Sequence, residues 1–174
     1  MQHFNRLLQT CLIATVSLVF ISCGKSGDRN RGSTSTVQIN GIPVPPDPGA
    51  AADSTVVGID SNRNGLRDEV ERQIAITYGA NPTQYDGVMK LAMTLQPYLV
   101  ANGNSSQATL ITQMAVVAGA CSVEKFDGDA IAAQRAATYM FALTVNTPER
   151  FAAYRATSAA SKEIATSIPS QPCE

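Results

Sequence analysis

The feature that most constrains the fold of this chain is a helical spacing of apolar residues that runs from residue 66 almost to the C-terminus. Leu66, Val70 and Ile74 recur every four residues, which is the spacing of a helix with one buried face. Later segments with the same apolar spacing are preceded by helix-start signals. Two of these signals place a capping side chain directly before a proline: Asn81-Pro82 and Thr147-Pro148. The pattern predicts an all-α fold, a small bundle of four to five short helices.

The limits of these helices follow from the residues that interrupt the stripes. Gly79 ends the first helix, and Pro97 kinks or ends the second, because proline removes a helical hydrogen bond. Asp127-Gly128-Asp129 is a turn that opens the fourth. The predicted helices therefore span about 66–78, 82–96, 106–121, 130–145 and 148 onward.

The first 22 residues have the composition of an export signal. Arg6 is their only Lys or Arg, and residues 7–21 carry no charge, a length that suits a signal peptide and is too short to span a bilayer. The stretch ends in Phe20-Ile21-Ser22-Cys23, which resembles a lipobox, although Phe20 departs from the usual Leu or Val. The resemblance implies a lipoprotein signal peptide over 1–22 and acyl chains, palmitate among them, on Cys23. An ordinary cleaved signal peptide and a buried apolar strand are the alternatives.

Removal of this segment narrows the possible chemistry. The single histidine, His3, is lost, and the chain has no tryptophan. Lys+Arg falls from 13 to 12 while Asp+Glu stays at 14, which leaves a net charge of −2. A weakly acidic chain lacks the basic footprint that nucleic acid requires. Without histidine, Ser-His catalysis is excluded and zinc is disfavoured.

The remaining cysteines suggest one cross-link. Cys11 leaves with the signal and Cys23 is blocked by lipid, so Cys121 and Cys173 remain as a pair. An even pair in an oxidising compartment predicts a disulfide, and two unpaired thiols are the alternative. Residues 23–58 are rich in Gly, Ser and Thr and then in Pro, which predicts a disordered, lipid-anchored linker before a helical domain over 59–174. Apolar residues alternate weakly from Thr36 to Ile42. A short strand within that linker is therefore an alternative.

One segment carries a specific chemical pattern. Residues 60–71 place Asp or Asn at positions 1, 3 and 5, Gly at position 6, and Asp and Glu at positions 9 and 12. This resembles the EF-hand calcium loop, in which alternate residues direct oxygen atoms at one ion and the glycine makes a sharp turn. The resemblance implies a calcium site with six ligating residues: Asp60, Asn62, Asn64, Leu66 through its carbonyl group, Asp68 through a water, and Glu71.

The resemblance covers the loop and the helix that leaves it. The β-branched segment from Ser54 to Ile59 is a poor entering helix, so the loop is closer to single extracellular modules of the dockerin type than to paired sensors. Arg63 and Arg67 fall on non-ligand positions and are expected to point outward. The alternative is a polar turn that only caps a helix, but such a turn does not require Glu71.

These features together predict a function without catalysis. Glu124, Asp127 and Asp129 lie close in sequence, but they flank a turn and a helix start, where acidic residues suit the helix dipole. The expected protein is a membrane-anchored, extracytoplasmic calcium-binding lipoprotein of the cell envelope, on the periplasmic face of the outer membrane or the cell surface. It would act as a binding or adaptor module with an envelope protein partner. A carboxylate-dependent envelope hydrolase and an accessory or pilot lipoprotein are the alternatives.

Overall fold

The computed structural model describes residues 35–101, 103–161 and 167–174, and the fold over these residues is mainly helical, as predicted. Five α-helices follow a short N-terminal hairpin: α1 (Asp68–Tyr78), α2 (Pro82–Val100), α3 (Ser105–Lys125), α4 (Ala130–Thr144) and α5 (Pro148–Ala160). Helix α2 is central, because it packs against each of the other four helices. It continues through Pro97 to Val100, beyond its predicted end.

The main core lies where α1, α2 and α4 meet. The predicted stripe of Leu66, Val70 and Ile74 is at most 1% exposed, and it packs with Val88 of α2 and Met140 of α4. Small residues permit the close approach of α4, since Ala133 and Ala136 are both buried in the same cluster. The calcium-loop segment is therefore attached to the core at its C-terminal end, through Leu66 and the first turns of α1.

The described part of the segment predicted as a linker, 23–58, contains a short hairpin. Strands β1 (Val37–Ile39) and β2 (Ile42–Val44) pair antiparallel through a turn at Asn40-Gly41. Both turn residues have positive φ, 50° and 77°, which is the conformation that favours Asn-Gly in two-residue hairpins. Residues 23–34 of the predicted linker, together with the predicted signal peptide, lie outside the described residues.

The hairpin is fixed to α1 rather than free. The Asn40 side chain donates hydrogen bonds to the carbonyl groups of Ala75 (2.8 Å) and Ile76 (3.3 Å), and Arg72 donates to the carbonyl of Pro45 (2.8 Å). Val44 is fully buried. These contacts pack the hairpin against α1.

A buried arginine of α5 holds the next part of the N-terminal segment. Arg150 is 0% exposed, and its guanidinium donates to the carbonyl groups of Ala52, Thr55 and Val56 and to the Asp53 carboxylate. Ala52 and Asp53 belong to a short 3-10 helix, Gly49–Asp53. A single buried cation thus binds three main-chain carbonyl groups of the segment from Ala52 to Val56 and holds this segment against α5.

Candidate metal centre

The candidate calcium loop is closed by a main-chain hydrogen bond. The N–H of Asp68 donates to the carbonyl of Ile59 at 2.8 Å, which brings the two ends of the segment together just before α1 begins. Leu66 fixes the loop from inside, because its side chain is fully buried while its N–H donates to the Asn64 side-chain oxygen at 2.9 Å.

Asp60, at the first predicted ligand position, organises the turn. Its carboxylate accepts hydrogen bonds from the N–H groups of Asn64 (3.1 Å) and Gly65 (2.8 Å). Gly65 has a φ of +89°, which a side chain rarely tolerates. This is the sharp turn that the sequence predicted at position 6, and it folds the loop back toward α1.

Glu71, at the last predicted position, closes the ring from the first turn of α1. Its Oε2 atom accepts hydrogen bonds from the side-chain nitrogen atoms of Asn62 and Asn64, each at 3.0 Å. The residue is only 5% exposed. The structure therefore brings three predicted ligand residues, Asn62, Asn64 and Glu71, to one point that is largely screened from solvent.

The two asparagine amides present their nitrogen ends to Glu71. Their oxygen atoms instead accept main-chain N–H groups, from Asn64 to the Asn62 oxygen (3.1 Å) and from Leu66 to the Asn64 oxygen (2.9 Å). The oxygen and nitrogen ends of an amide have nearly the same size and position. A half-turn of each terminal amide would present oxygen, the ligand atom that calcium requires. The same half-turn would break the hydrogen bonds from the N–H groups of Asn64 and Leu66.

The remaining two predicted ligands are placed by the same loop. Asp68 is 2% exposed, and its carboxylate accepts the N–H of Ser61 at 2.9 Å, so it braces the loop start. Leu66 was predicted to bind through its main-chain carbonyl, and that role stays a prediction.

The electrostatics of the ring are dominated by its acidic groups. Burial raises the pKa of Glu71, the hydrogen bonds from Asn62 and Asn64 lower it, and the nearby carboxylates of Asp68 and Asp60 raise it further. Negative charge therefore accumulates in a poorly solvated place, and a bound cation would relieve this cost.

The donor set fits a hard cation with few charged ligands. In the part of the chain that the structure describes, no three or more His, Cys, Asp or Glu side chains form a group that could hold a metal. The six predicted positions offer oxygen atoms from three carboxylates, two side-chain amides and one main-chain carbonyl group. Such a ligand set suits calcium better than zinc, which prefers nitrogen and sulfur.

The predicted outward orientation of Arg67 was wrong. Its side chain is 0% exposed and donates to the carbonyl groups of Leu143 (2.9 Å) and Thr144 (3.0 Å) at the C-terminal end of α4. Burial lowers its pKa to about 10, and nearby Glu69 partly offsets this. The loop pattern indicated only that Arg67 points away from the ion, and here that direction leads into the protein. Arg63, with a φ of 60°, is exposed as predicted.

The other sequence candidates lie apart from this loop. Glu124, Asp127 and Asp129 are all exposed, and none of them lines the described cavities. Cys121 and Cys173 are joined in a disulfide, with their Cα atoms 4.8 Å apart. Cys23, the predicted lipidation site, lies outside the described residues.

Comparisons with protein-family models, with curated protein sequences and with solved structures return no match to this chain.

Proposed function

We propose that this protein is a lipid-anchored calcium-binding protein of the bacterial cell envelope whose folded unit acts as a non-enzymatic binding or adaptor module. The observation that carries the calcium assignment is the convergence of Asn62 and Asn64 on Glu71, around a turn organised by Asp60. The lipobox-like sequence before Cys23 supports the anchor and the location.

The calcium ion has a structural role in this proposal. The loop joins the N-terminal segment held by Arg150 to the start of α1. Helix α1 has no side-chain hydrogen bond at its N-cap, Arg67, and three acidic residues in its first turn. An ion bound by both Glu71 and the loop would cross-link this helix end to the segment that precedes it, and binding to the folded state alone would stabilise their junction.

The expected affinity is modest. Two carboxylates, from Asp60 and Glu71, bind directly in this arrangement, and Asp68 acts through a water. Extracellular calcium modules of this kind bind with dissociation constants of about 10⁻⁴–10⁻³ M. At ten times the dissociation constant, calcium would stabilise the fold by about 1.4 kcal/mol.

A calorimetric calcium titration of the chain from Gly24 tests the site. We expect binding with a dissociation constant of about 10⁻⁴–10⁻³ M, and a loss of at least about tenfold in affinity for Glu71→Gln, since that variant removes one charged ligand. Glu149→Gln is the matched control, because Glu149 is an exposed acid in the first turn of α5. Equal binding by the wild type and Glu71→Gln would contradict the assignment.

Metabolic labelling with a radioactive fatty acid tests the anchor. We expect label in the wild type and in Cys11→Ala, whose cysteine lies inside the predicted signal peptide, and none in Cys23→Ala. Label that persists in Cys23→Ala would refute lipidation at this residue.

Exposed apolar side chains on α2 and α3 support the binding role. Val100, Leu110 and Met114 are 52%, 57% and 49% exposed. Clustered exposed apolar residues commonly mark a surface that contacts a partner or a membrane.

A further inference from the structure

Helices α2 and α3 together expose one continuous apolar surface. Met93, Pro97 and Val100 recur at helical spacing on α2, and Leu110, Met114 and Val117 do so on α3. These six residues define the α2–α3 face.

Two shallow cavities run along this face. One, of about 230 Å³, is lined by Pro97, Val100 and Leu110 among others. The other, of about 320 Å³, is lined by Met93, Met114 and the C-terminal residues around Cys173. Both cavities are bordered by the stretch of α2 from Lys90 to Val100. This stretch is about 15 Å long.

The face lies within a stretch of sequence that carries no charge. Residues 91–123 contain no Asp, Glu, Lys, Arg or His. Helix α3 is long and apolar enough to cross a membrane by length and composition, yet only 28% of its most apolar window is buried. Because α3 also packs against α2, α4 and α5, one side of it is used for folding and the other is left toward solvent.

We propose that the α2–α3 face rests on the surface of the lipid bilayer to which the protein is anchored. None of the six residues of the face is charged, and the charged residues Lys90 and Glu174 line only the larger cavity, at one end of the face. Charged side chains at the edge of an apolar face can reach the lipid headgroups while the apolar residues contact the acyl chains. The choice of lipid over a protein partner rests on the anchor, which keeps a bilayer next to the domain at all times.

The anchor proposed above brings the bilayer within reach, so this inference rests on the proposed function. Cys23 precedes Ser35, the first described residue, by about 12 positions, which allows at most about 40 Å of extended chain. A folded unit of this size is itself about 35–40 Å across. A lipid at Cys23 would thus hold the domain within about one domain diameter of the membrane, and an apolar face gains most from contact with it.

Tryptophan fluorescence tests this orientation, because the natural chain contains no tryptophan. Leu110→Trp places a single indole on the α2–α3 face, and Met114→Trp places one there independently. Ile131→Trp is the matched control, since Ile131 is 69% exposed and lies on α4. Each variant is expressed in bacteria from the full-length sequence, so that lipid can be attached to Cys23, and is purified in detergent. It is then reconstituted into phosphatidylcholine–phosphatidylglycerol vesicles with or without brominated acyl chains.

We expect all three variants to float with the vesicles. The brominated lipid should quench Leu110→Trp and Met114→Trp at least about twofold, because an interfacial face is buried about 5–10 Å into the headgroup and acyl boundary. Ile131→Trp should remain unquenched.

The other outcomes overturn different claims. Protein that floats while neither face variant is quenched overturns the bilayer contact and leaves the anchor intact. Protein that does not float overturns the anchor and, with it, this inference. A blue-shifted indole without quenching, together with a dimeric mass in detergent, would show that a second copy covers the face, and overturns the contact with lipid.

Discussion

Gly58 lies where two buried arginine side chains approach the main chain of the N-terminal segment. Its φ is +71°, and a Cβ atom at this position would overlap Cδ of Arg67 and come within 3.1 Å of Nη2 of Arg150. Both side chains are fully buried and bonded to carbonyl groups, so neither can move without loss of hydrogen bonds. Glycine is therefore required here for space as well as for backbone conformation.

Alanine substitution separates these two requirements. Gly128 has a similar φ of +82°, but a Cβ atom there meets nothing within 4 Å. Gly128→Ala should therefore cost only the left-handed strain of about 1–2 kcal/mol. Gly58→Ala should cost about 3 kcal/mol or more, because overpacking adds to the same strain. Urea unfolding measures the free energy of unfolding of both variants. Equal losses of stability would show that the side chains of Arg67 and Arg150 move aside without measurable cost.

At the scale of elements, capping side chains mark most of the helix boundaries. Asn81, Asn104, Asp129 and Thr147 each accept main-chain N–H groups at the start of α2, α3, α4 and α5. The sequence predicted three of these four starts from the cap residue or the proline that follows it. The apolar spacing predicted the buried face of α1, where Leu66, Val70 and Ile74 are at most 1% exposed. It did not do so for all of α3, because Leu110 and Met114, which fall on the same apolar stripe as the buried Cys121, are exposed.

The hairpin and the positions of the buried arginine side chains were not predicted from the sequence. Asn40-Gly41 is a recognised signal for a two-residue hairpin turn, but the prolines around it favoured a linker. The pairing of β1 with β2 gains stability from contacts with α1, through Asn40 and Arg72, and such long-range contacts leave no local pattern. The same holds for Arg67, whose partners Leu143 and Thr144 are more than 70 residues away.

The tight turn within residues 60–71 was the most predictable local feature of the candidate site, while calcium binding there stays a prediction. Positions 1, 6 and 12 have fixed roles in the pattern, and the structure places Asp60, Gly65 and Glu71 in a tight turn and at the first turn of a helix. The side-chain amides of Asn62 and Asn64 could not be oriented from sequence, because an amide both donates and accepts and the pattern does not show which partners lie at each end.

The N-cap of α4 gives a test at this scale. The Asp129 side chain accepts the N–H groups of Ile131 (3.0 Å) and Ala132 (2.9 Å). Asp129→Ala should lower the free energy of unfolding by about 1 kcal/mol, the usual contribution of a cap. Glu124→Ala, an exposed acid three residues before the turn, should change it by less than about 0.5 kcal/mol. Thermal or urea unfolding measures both, and an unchanged Asp129→Ala would show that the turn alone sets the helix start.

At the scale of the whole molecule, the C-terminus is held to the middle of the chain. The predicted pair, Cys121 of α3 and Cys173, forms a disulfide that closes a separation of 52 residues. Lys90 of α2 also donates a hydrogen bond to the carbonyl of Cys173. The last residues therefore lie against α2 and α3, at one end of the α2–α3 face, and the cross-link limits the freedom of a large part of the unfolded chain.

Removal of this cross-link should act mainly on the unfolded state. For a loop of this length the chain-entropy model gives a stabilisation of about 4 kcal/mol, so the Cys121→Ala/Cys173→Ala variant should unfold at a lower urea concentration. Its m-value should rise, because an unfolded chain without the cross-link expands and exposes more surface. Addition of a thiol reductant should destabilise the wild type to the same level and leave the double variant unchanged. A double variant that loses under about 1 kcal/mol would mean that the contacts of Lys90 and the core position the C-terminus without the covalent bond.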